Sequence, residues 1–147
     1  MIWFGSWAGF GESRDMTTEF WKHAVVVAVG GGVGSFIRFA AGAWVAHHYP
    51  STKFPWATLA VNWVGCLLIG LIYGWIEERT VLGASLRYFL ITGFLGGFTT
   101  FSAFGMETAY LFKRGEPVMA WIYIIASVAG GLCLVWLVEK VSVVVFR

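Results

Sequence analysis

Four long apolar runs, separated by short polar stretches, organise the chain. The first, Ala24 to Ala46, carries one charge, Arg38. Its roughly 23 residues, at about 1.5 Å each in a helix, span a hydrocarbon layer of about 30 Å. The second, Phe54 to Ile76, carries none; Pro55 stands in its first turn, where a missing N–H is harmless, and Glu77, Glu78 and Arg79 follow it. The third, Tyr88 to Phe112, holds Glu107 alone and is followed by Lys113 and Arg114. Val118 to Val138 is the fourth, with Pro117 before it and Glu139 and Lys140 after it. The pattern predicts an all-α integral membrane protein with four transmembrane helices over 24–46, 54–76, 88–112 and 118–138, in a single domain of residues 23–147. Residues 1–22 mix Trp, Gly and charges without periodicity and are set apart as an N-terminal extension, disordered or non-native; they lack the layout of a signal peptide.

Composition agrees with this. Hydrophobic residues make up 59% of the 147, charged ones only 12%, and the mean hydropathy is +0.75. A core this small cannot hide so much apolar surface, so most of it faces lipid. The net charge of +2 comes without any long basic run, which leaves no electrostatic footprint for nucleic acid. Cys66 and Cys133 lie inside apolar runs and read as small buried side chains. The adjacent His47 and His48 read as surface residues.

Loop charges orient a membrane bundle because Lys and Arg favour the cytoplasmic side. Six (Arg14, Lys22, Arg79, Arg87, Lys140, Arg147) fall on the side of the termini and three (Lys53, Lys113, Arg114) on the other. So weak a bias is compatible with insertion in both orientations. Four helices are too few to enclose a path, which predicts a homo-oligomer. The 19 glycines fit close helix packing, with small-xxx-small pairs at Gly30 and Gly34, Gly70 and Gly74, and Gly93 and Gly97. Gly30-x-Gly32 resembles the start of a nucleotide fingerprint, but no strand precedes it and Ser35 replaces the third glycine, so no nucleotide is expected.

The polar residues inside the spans are the candidate chemistry. Arg38 lies about 12 Å from the end of the first span, a depth open to snorkelling or to an anion-attracting vestibule. Thr58 and Asn62 share a face of the second; a lone Asn either glues helices or offers its NH₂ to an anion. In the third, Gly93-Phe94-Leu95-Gly96-Gly97-Phe98-Thr99-Thr100 makes a poor continuous helix and predicts a break near the membrane midplane, where freed carbonyls need protein, water or an ion. Past the break, Phe101, Phe104 and Glu107 form one stripe. Aromatic ring edges are electropositive and suit a passing anion without trapping it. Glu107 suits a solvated mouth or a hydrogen-bonded partner. Tyr123 and Ser127 put two hydroxyls on one face of the fourth span.

Taken together these residues resemble the Fluc, or CrcB, family of bacterial fluoride channels. The resemblance rests on Gly30-Gly31-x-x-Gly34-x-x-x-Arg38, Thr58-x-x-x-Asn62-x-x-Gly65, Gly93-Phe94-x-Gly96-Gly97-x-Thr99-Thr100-Phe101-Ser102-x-Phe104, and Tyr123 with Ser127. It implies an antiparallel, dual-topology homodimer in the bacterial inner membrane, with two passive fluoride pathways at the dimer interface. It also implies a structural sodium ion at the dimer centre, held by the carbonyls of Gly96 and Thr99. Phe101 and Phe104 would then present ring edges to fluoride, Asn62 its amide, and Thr58, Tyr123 and Ser127 the polar side of the path, with Arg38 and Glu107 near the vestibules. The chain departs from the pattern after Ser127, where Gly130, Gly131 and Cys133 stand in place of a further hydroxyl. The alternative is a small multidrug-type cation/proton antiporter. That chemistry needs a deep acid in the first span, where Arg38 stands instead. A structural subunit without transport is the third reading, and nothing in the chain suggests an enzyme.

Overall fold

A computed structural model of the chain describes residues 13–50, 52–78 and 83–146. All regular structure there is helical. Helix α1 (Ser13–His48) is followed by α2 (Trp56–Glu78). The third span opens with α3 (Ala84–Arg87), widens into a π-helical stretch (Tyr88–Leu95), returns as α4 (Gly96–Phe98), and resumes after a break as α5 (Phe101–Lys113). The fourth is α6 (Pro117–Ile125), a π turn (Ala126–Gly130) and α7 (Gly131–Phe146). Four segments, Thr17–His48, Trp56–Trp75, Ala84–Lys113 and Pro117–Val145, are long and apolar enough to cross a membrane.

Helix α1 begins ahead of the apolar run, so residues 13–22 are helical; Met1 to Gly11 and Glu12 lie outside the described residues. Its 36 residues reach about 54 Å, well past a hydrocarbon layer of about 30 Å. Pro55 sits one residue before α2, its carbonyl accepting from Leu59 N–H at 3.1 Å, and Pro117 opens α6. The third span ends where Gly115 adopts φ of 74°; Glu116 N–H closes on the Leu111 carbonyl (3.0 Å) and Gly115 N–H on that of Phe112 (3.1 Å). This left-handed glycine cap turns the chain in three residues. Lys53 Nζ reaches Glu116 Oε1 at 2.8 Å and ties the first loop to this one.

Two close helix pairs make the bundle. Helix α1 lies along the first half of the third span, and α2 along α7, while α5 packs on α6. Glycines set both distances. A Cβ on Gly30 would come within 2.7 Å of the Phe89 carbonyl, one on Gly34 would meet the Phe94 carbonyl, and one on Gly97 the Gly31 carbonyl. On the other pair, Gly70 faces the Val135 carbonyl and Gly74 faces Ser142, which is buried and hydrogen-bonds the Glu139 carbonyl at 2.9 Å. The small-xxx-small pairs therefore serve packing within the chain, as the sequence pattern predicts. The buried apolar centre is small: Leu59, Leu111, Ala120 and Tyr123, with Phe54, Phe104, Met119 and Ala126 around it. Much of the rest of the apolar surface faces outward, as a lipid-embedded chain requires. Cys133 is exposed on that surface and Cys66 is half-buried, so the expectation of two buried thiols fails for Cys133; both are free. His47 and His48 are exposed, as read from the sequence.

Candidate functional site

The third span breaks at Thr99 and Thr100, both in extended backbone (φ −83°, ψ 159° and φ −150°, ψ 118°). The sequence predicted a break here; its exact place follows from the threonines. Thr99 Oγ1 donates to the Leu95 carbonyl at 2.9 Å, closing the end of α4, and Thr100 Oγ1 accepts from Ala103 N–H at 3.2 Å, capping the start of α5. In hydrocarbon the backbone groups freed by a break must find partners inside the protein. Asn62 supplies two: Oδ1 accepts from Thr100 N–H (2.9 Å) and Nδ2 donates to the Thr100 carbonyl (3.2 Å). Helix α1 supplies two more, since Arg38 Nε and Ser35 Oγ donate to the Gly97 carbonyl at 3.0 and 3.3 Å. Arg38 is thus tied to the break itself, an intramembrane charge paired with backbone. The Thr99 carbonyl has no donor among the described residues, and no side chain there reaches that of Gly96.

Beside the break lies an apolar groove of about 510 Å³, open along the surface, whose wall contains Asn62, Gly96, Thr99, Thr100, Phe101, Phe104 and Ser127. Gly65, also in its wall, makes room for Thr99: a Cβ there would meet Thr99 Cγ2. Ser127 Oγ is buried and has no hydrogen-bond partner among the described residues. The rings of Phe101 and Phe104 lie 5.5 Å apart at 46°, and Phe101 is 81% exposed.

The remaining candidates meet on the far side of Phe104, whose ring lies 5.2 Å from that of Tyr123. Thr58 Oγ1 donates to Glu107 Oε1 and Tyr123 O–H to Glu107 Oε2, each at 2.7 Å. Of the two readings of Glu107, a solvated mouth or a hydrogen-bonded partner, the second is what the structure shows. Tyr123 is fully buried. The sites read from the sequence therefore fall into two joined groups: Asn62, Phe101, Phe104 and Ser127 along the groove with Gly96 and Thr99, and Thr58, Glu107 and Tyr123 in a hydrogen-bonded cluster behind Phe104. Arg38 approaches the break from the opposite helix. Sequence reasoning did not single out Ser35, and it had no signal for Trp63, whose indole N–H donates to the Ala126 carbonyl at 3.0 Å. Ser35 was in principle legible, lying one turn before Arg38 on the glycine face of α1.

A polar break beside a stripe of phenylalanines in a four-span chain has relatives. The family model described as CrcB-like protein, Camphor Resistance (CrcB), matches residues 25–138. The chain belongs to the CrcB family. A "Fluoride-specific ion channel FluC" of Rhizobium leguminosarum bv. trifolii is 49% identical over 112 residues, covering 76% of this chain and 89% of the relative. Proteins of the same description from Pseudomonas fluorescens and Rhizobium etli are 46% and 50% identical over 115 and 112 residues, covering 78% and 76% of this chain and 92% and 89% of the relatives. This CrcB-family chain is accordingly a multi-pass bacterial membrane protein of a transport family and not an enzyme. The match starts inside α1, so the first turns of that helix lie outside it.

Proposed function

We propose that the protein is a passive, fluoride-selective channel of the bacterial inner membrane that lets cytoplasmic fluoride leave down its electrochemical gradient. The observation that carries the reading is the groove at the helix break, lined by the two phenylalanines, Asn62 and Ser127, whose buried hydroxyl has no partner among the described residues. Its relatives' description points the same way.

Fluoride is small and holds its water tightly. A selective path has to replace that shell with neutral donors and electropositive ring edges, because a full positive charge would hold the ion in place. Ser127 offers such a donor, and Asn62 Nδ2 retains a second N–H beyond the one given to Thr100. Arg38 is not part of the groove wall, its Nε given to the Gly97 carbonyl from the α1 side. Glu107, whose two oxygens accept from Thr58 and Tyr123, is fixed behind the path.

One chain leaves the groove open and Phe101 exposed. A second, antiparallel copy closes it, forming a homodimer with a path along each side of its interface. The resident ion of that dimer would be sodium, at its centre. The fit is in the donor set: Gly97 and Thr100 carbonyls are taken by side chains, whereas the Thr99 carbonyl has no donor among the described residues and Gly96 has no side-chain partner. Two such carbonyls from each copy are hard oxygen ligands of the kind unwound membrane helices offer to sodium. The carbonyls of Gly96 and Thr99 would hold the ion, which would supply the positive charge their dipoles need; binding and selection of the anion remain the task of Asn62, Phe101, Phe104 and Ser127.

The antiporter reading is not favoured, since the deep position of the first span holds Arg38. The test is efflux from liposomes carrying the purified protein, loaded with potassium fluoride or potassium chloride and opened with valinomycin. Fluoride should leave and chloride should stay. Absence of fluoride efflux, or equal efflux of both, overturns the reading.

A further inference from the structure

Trp63 follows Asn62 on α2 and grips the π turn of the fourth span. Its indole N–H donates to the Ala126 carbonyl at 3.0 Å. Its ring lies on Gly130, where a Cβ would come within 3.0 Å of Cζ2 and 3.1 Å of Nε1. Ala126 and Gly130 are the first and last residues of the π turn. One side chain therefore touches both ends of the turn, by a hydrogen bond at one and by close contact with a glycine at the other, where an added Cβ would press on the ring.

The turn carries Ser127. In a regular helix a serine can close its hydroxyl onto the carbonyl one turn back, which would be that of Tyr123. Ser127 does not: its Oγ is buried and unpartnered among the described residues, while the residue lines the groove with Asn62 and Phe104. A π turn shifts the register of the backbone by one residue and leaves a carbonyl in need of an outside donor, and such turns gather at functional sites. Here the indole is that donor.

We infer that Trp63 is a positioning residue of the anion path, holding the π turn so that the Ser127 hydroxyl stays free to donate into the groove. The inference rests on the channel reading. Asn62 and Trp63, neighbours in the chain, thereby fix two interruptions of α-helix along one groove: Asn62 the break at Thr100, Trp63 the π turn at Ser127.

The test uses the full chain in liposomes with three changes: Trp63→Phe, Ser127→Ala and both together, alongside the benzothienyl analogue of tryptophan at position 63, which keeps the ring shape and loses the N–H. The analogue and Trp63→Phe should each lower fluoride flux about tenfold and raise the fluoride concentration for half-maximal flux. Ser127→Ala should do the same, and the double variant should be no slower than Ser127→Ala alone. Hydrogen exchange at the backbone amides of 128–131 should quicken in both Trp63 variants. Wild-type flux in the analogue, or losses that multiply in the double variant, would overturn the inference. Should Trp63→Phe fail to fold, the analogue decides. Should the wild-type protein carry no fluoride, the channel reading falls by itself, and unchanged exchange at 128–131 would separately remove the grip on the turn.

Discussion

At the scale of single residues, hydrogen bonds decide more than charges. Glu107 is held in the membrane by two hydroxyls, so removing either leaves a carboxylate oxygen short of a donor in a poorly solvated place. Tyr123→Phe and Thr58→Val should each destabilise the protein by about 1–3 kcal/mol. Because both act on one carboxylate, the double variant should depart from additivity by at least about 0.5 kcal/mol. Unfolding in mixed micelles measures both. Asn62 gives a sharper contrast. Asn62→Asp keeps an acceptor for Thr100 N–H but sets a carboxylate oxygen against the Thr100 carbonyl, now 3.2 Å from Nδ2. Fluoride efflux should fall by more than about tenfold, the change expected when a barrier rises by about 1.4 kcal/mol. Phe104→Ile should also suppress it, with dimer assembly unchanged in size-exclusion profiles. Efflux at the wild-type rate in either would remove these residues from the path.

At the scale of elements, the glycines and threonines of the third span divide their labour. Gly93 and Gly97 keep helical backbone because their missing Cβ atoms let α1 come close, and the interruption itself falls two residues after Gly97, where Thr99 and Thr100 cap two helix ends. A break was legible in the sequence because so many poor helix formers crowd one span. Its position was not, since that depends on Asn62 and Arg38 arriving from other helices to satisfy the freed backbone. The stripe Phe101, Phe104, Glu107 was legible from spacing alone. The π turn at Ala126–Gly130 was not, because Trp63 reads as one more apolar residue in an apolar run. Packing roles can be separated by substitution. Gly97→Ala drives a Cβ into the Gly31 backbone and should destabilise by about 1–3 kcal/mol. Gly42→Ala meets nothing within 4 Å and should be neutral or stabilising, by up to about 1 kcal/mol from helix propensity. Thermal unfolding in detergent distinguishes them. The loop tie behaves differently. Lys53 beside Glu116 holds that carboxyl below its usual range, chiefly through their hydrogen bond. With the folded pKa lowered, whatever this tie contributes is present above the ordinary carboxylate pKa of about 4.3 and fades only as pH falls through the lowered value. Lys53→Met should therefore differ from wild type in stability at pH 7 and converge with it in stronger acid, with a small difference throughout because the pair is exposed.

At the scale of the whole molecule, the proposed sodium ion would link assembly to the unpartnered Thr99 carbonyl. In hydrocarbon an unsatisfied carbonyl costs several kcal/mol, so the Thr99 carbonyl cannot rest against lipid, and water has little access near the midplane. The proposed antiparallel dimer brings this carbonyl from each copy to one centre, where like dipoles would repel. A cation between them removes both penalties at once. It follows that sodium should bind the dimer and not the monomer, and mass action then makes assembly depend on sodium concentration. At a sodium level about 100 times the dissociation constant the dimer gains about 2.7 kcal/mol, roughly a hundredfold in its association constant. In dilute detergent solution the dimer fraction should therefore rise with sodium and fall when N-methylglucamine replaces it, and fluoride efflux from liposomes should follow the same sodium titration. Ser127→Ala should lower the efflux itself but leave the sodium midpoint of both titrations unmoved, because Ser127 lines the groove and is not one of the central carbonyls. A dimer fraction indifferent to sodium would detach the ion from assembly and return the Thr99 carbonyl to some other donor.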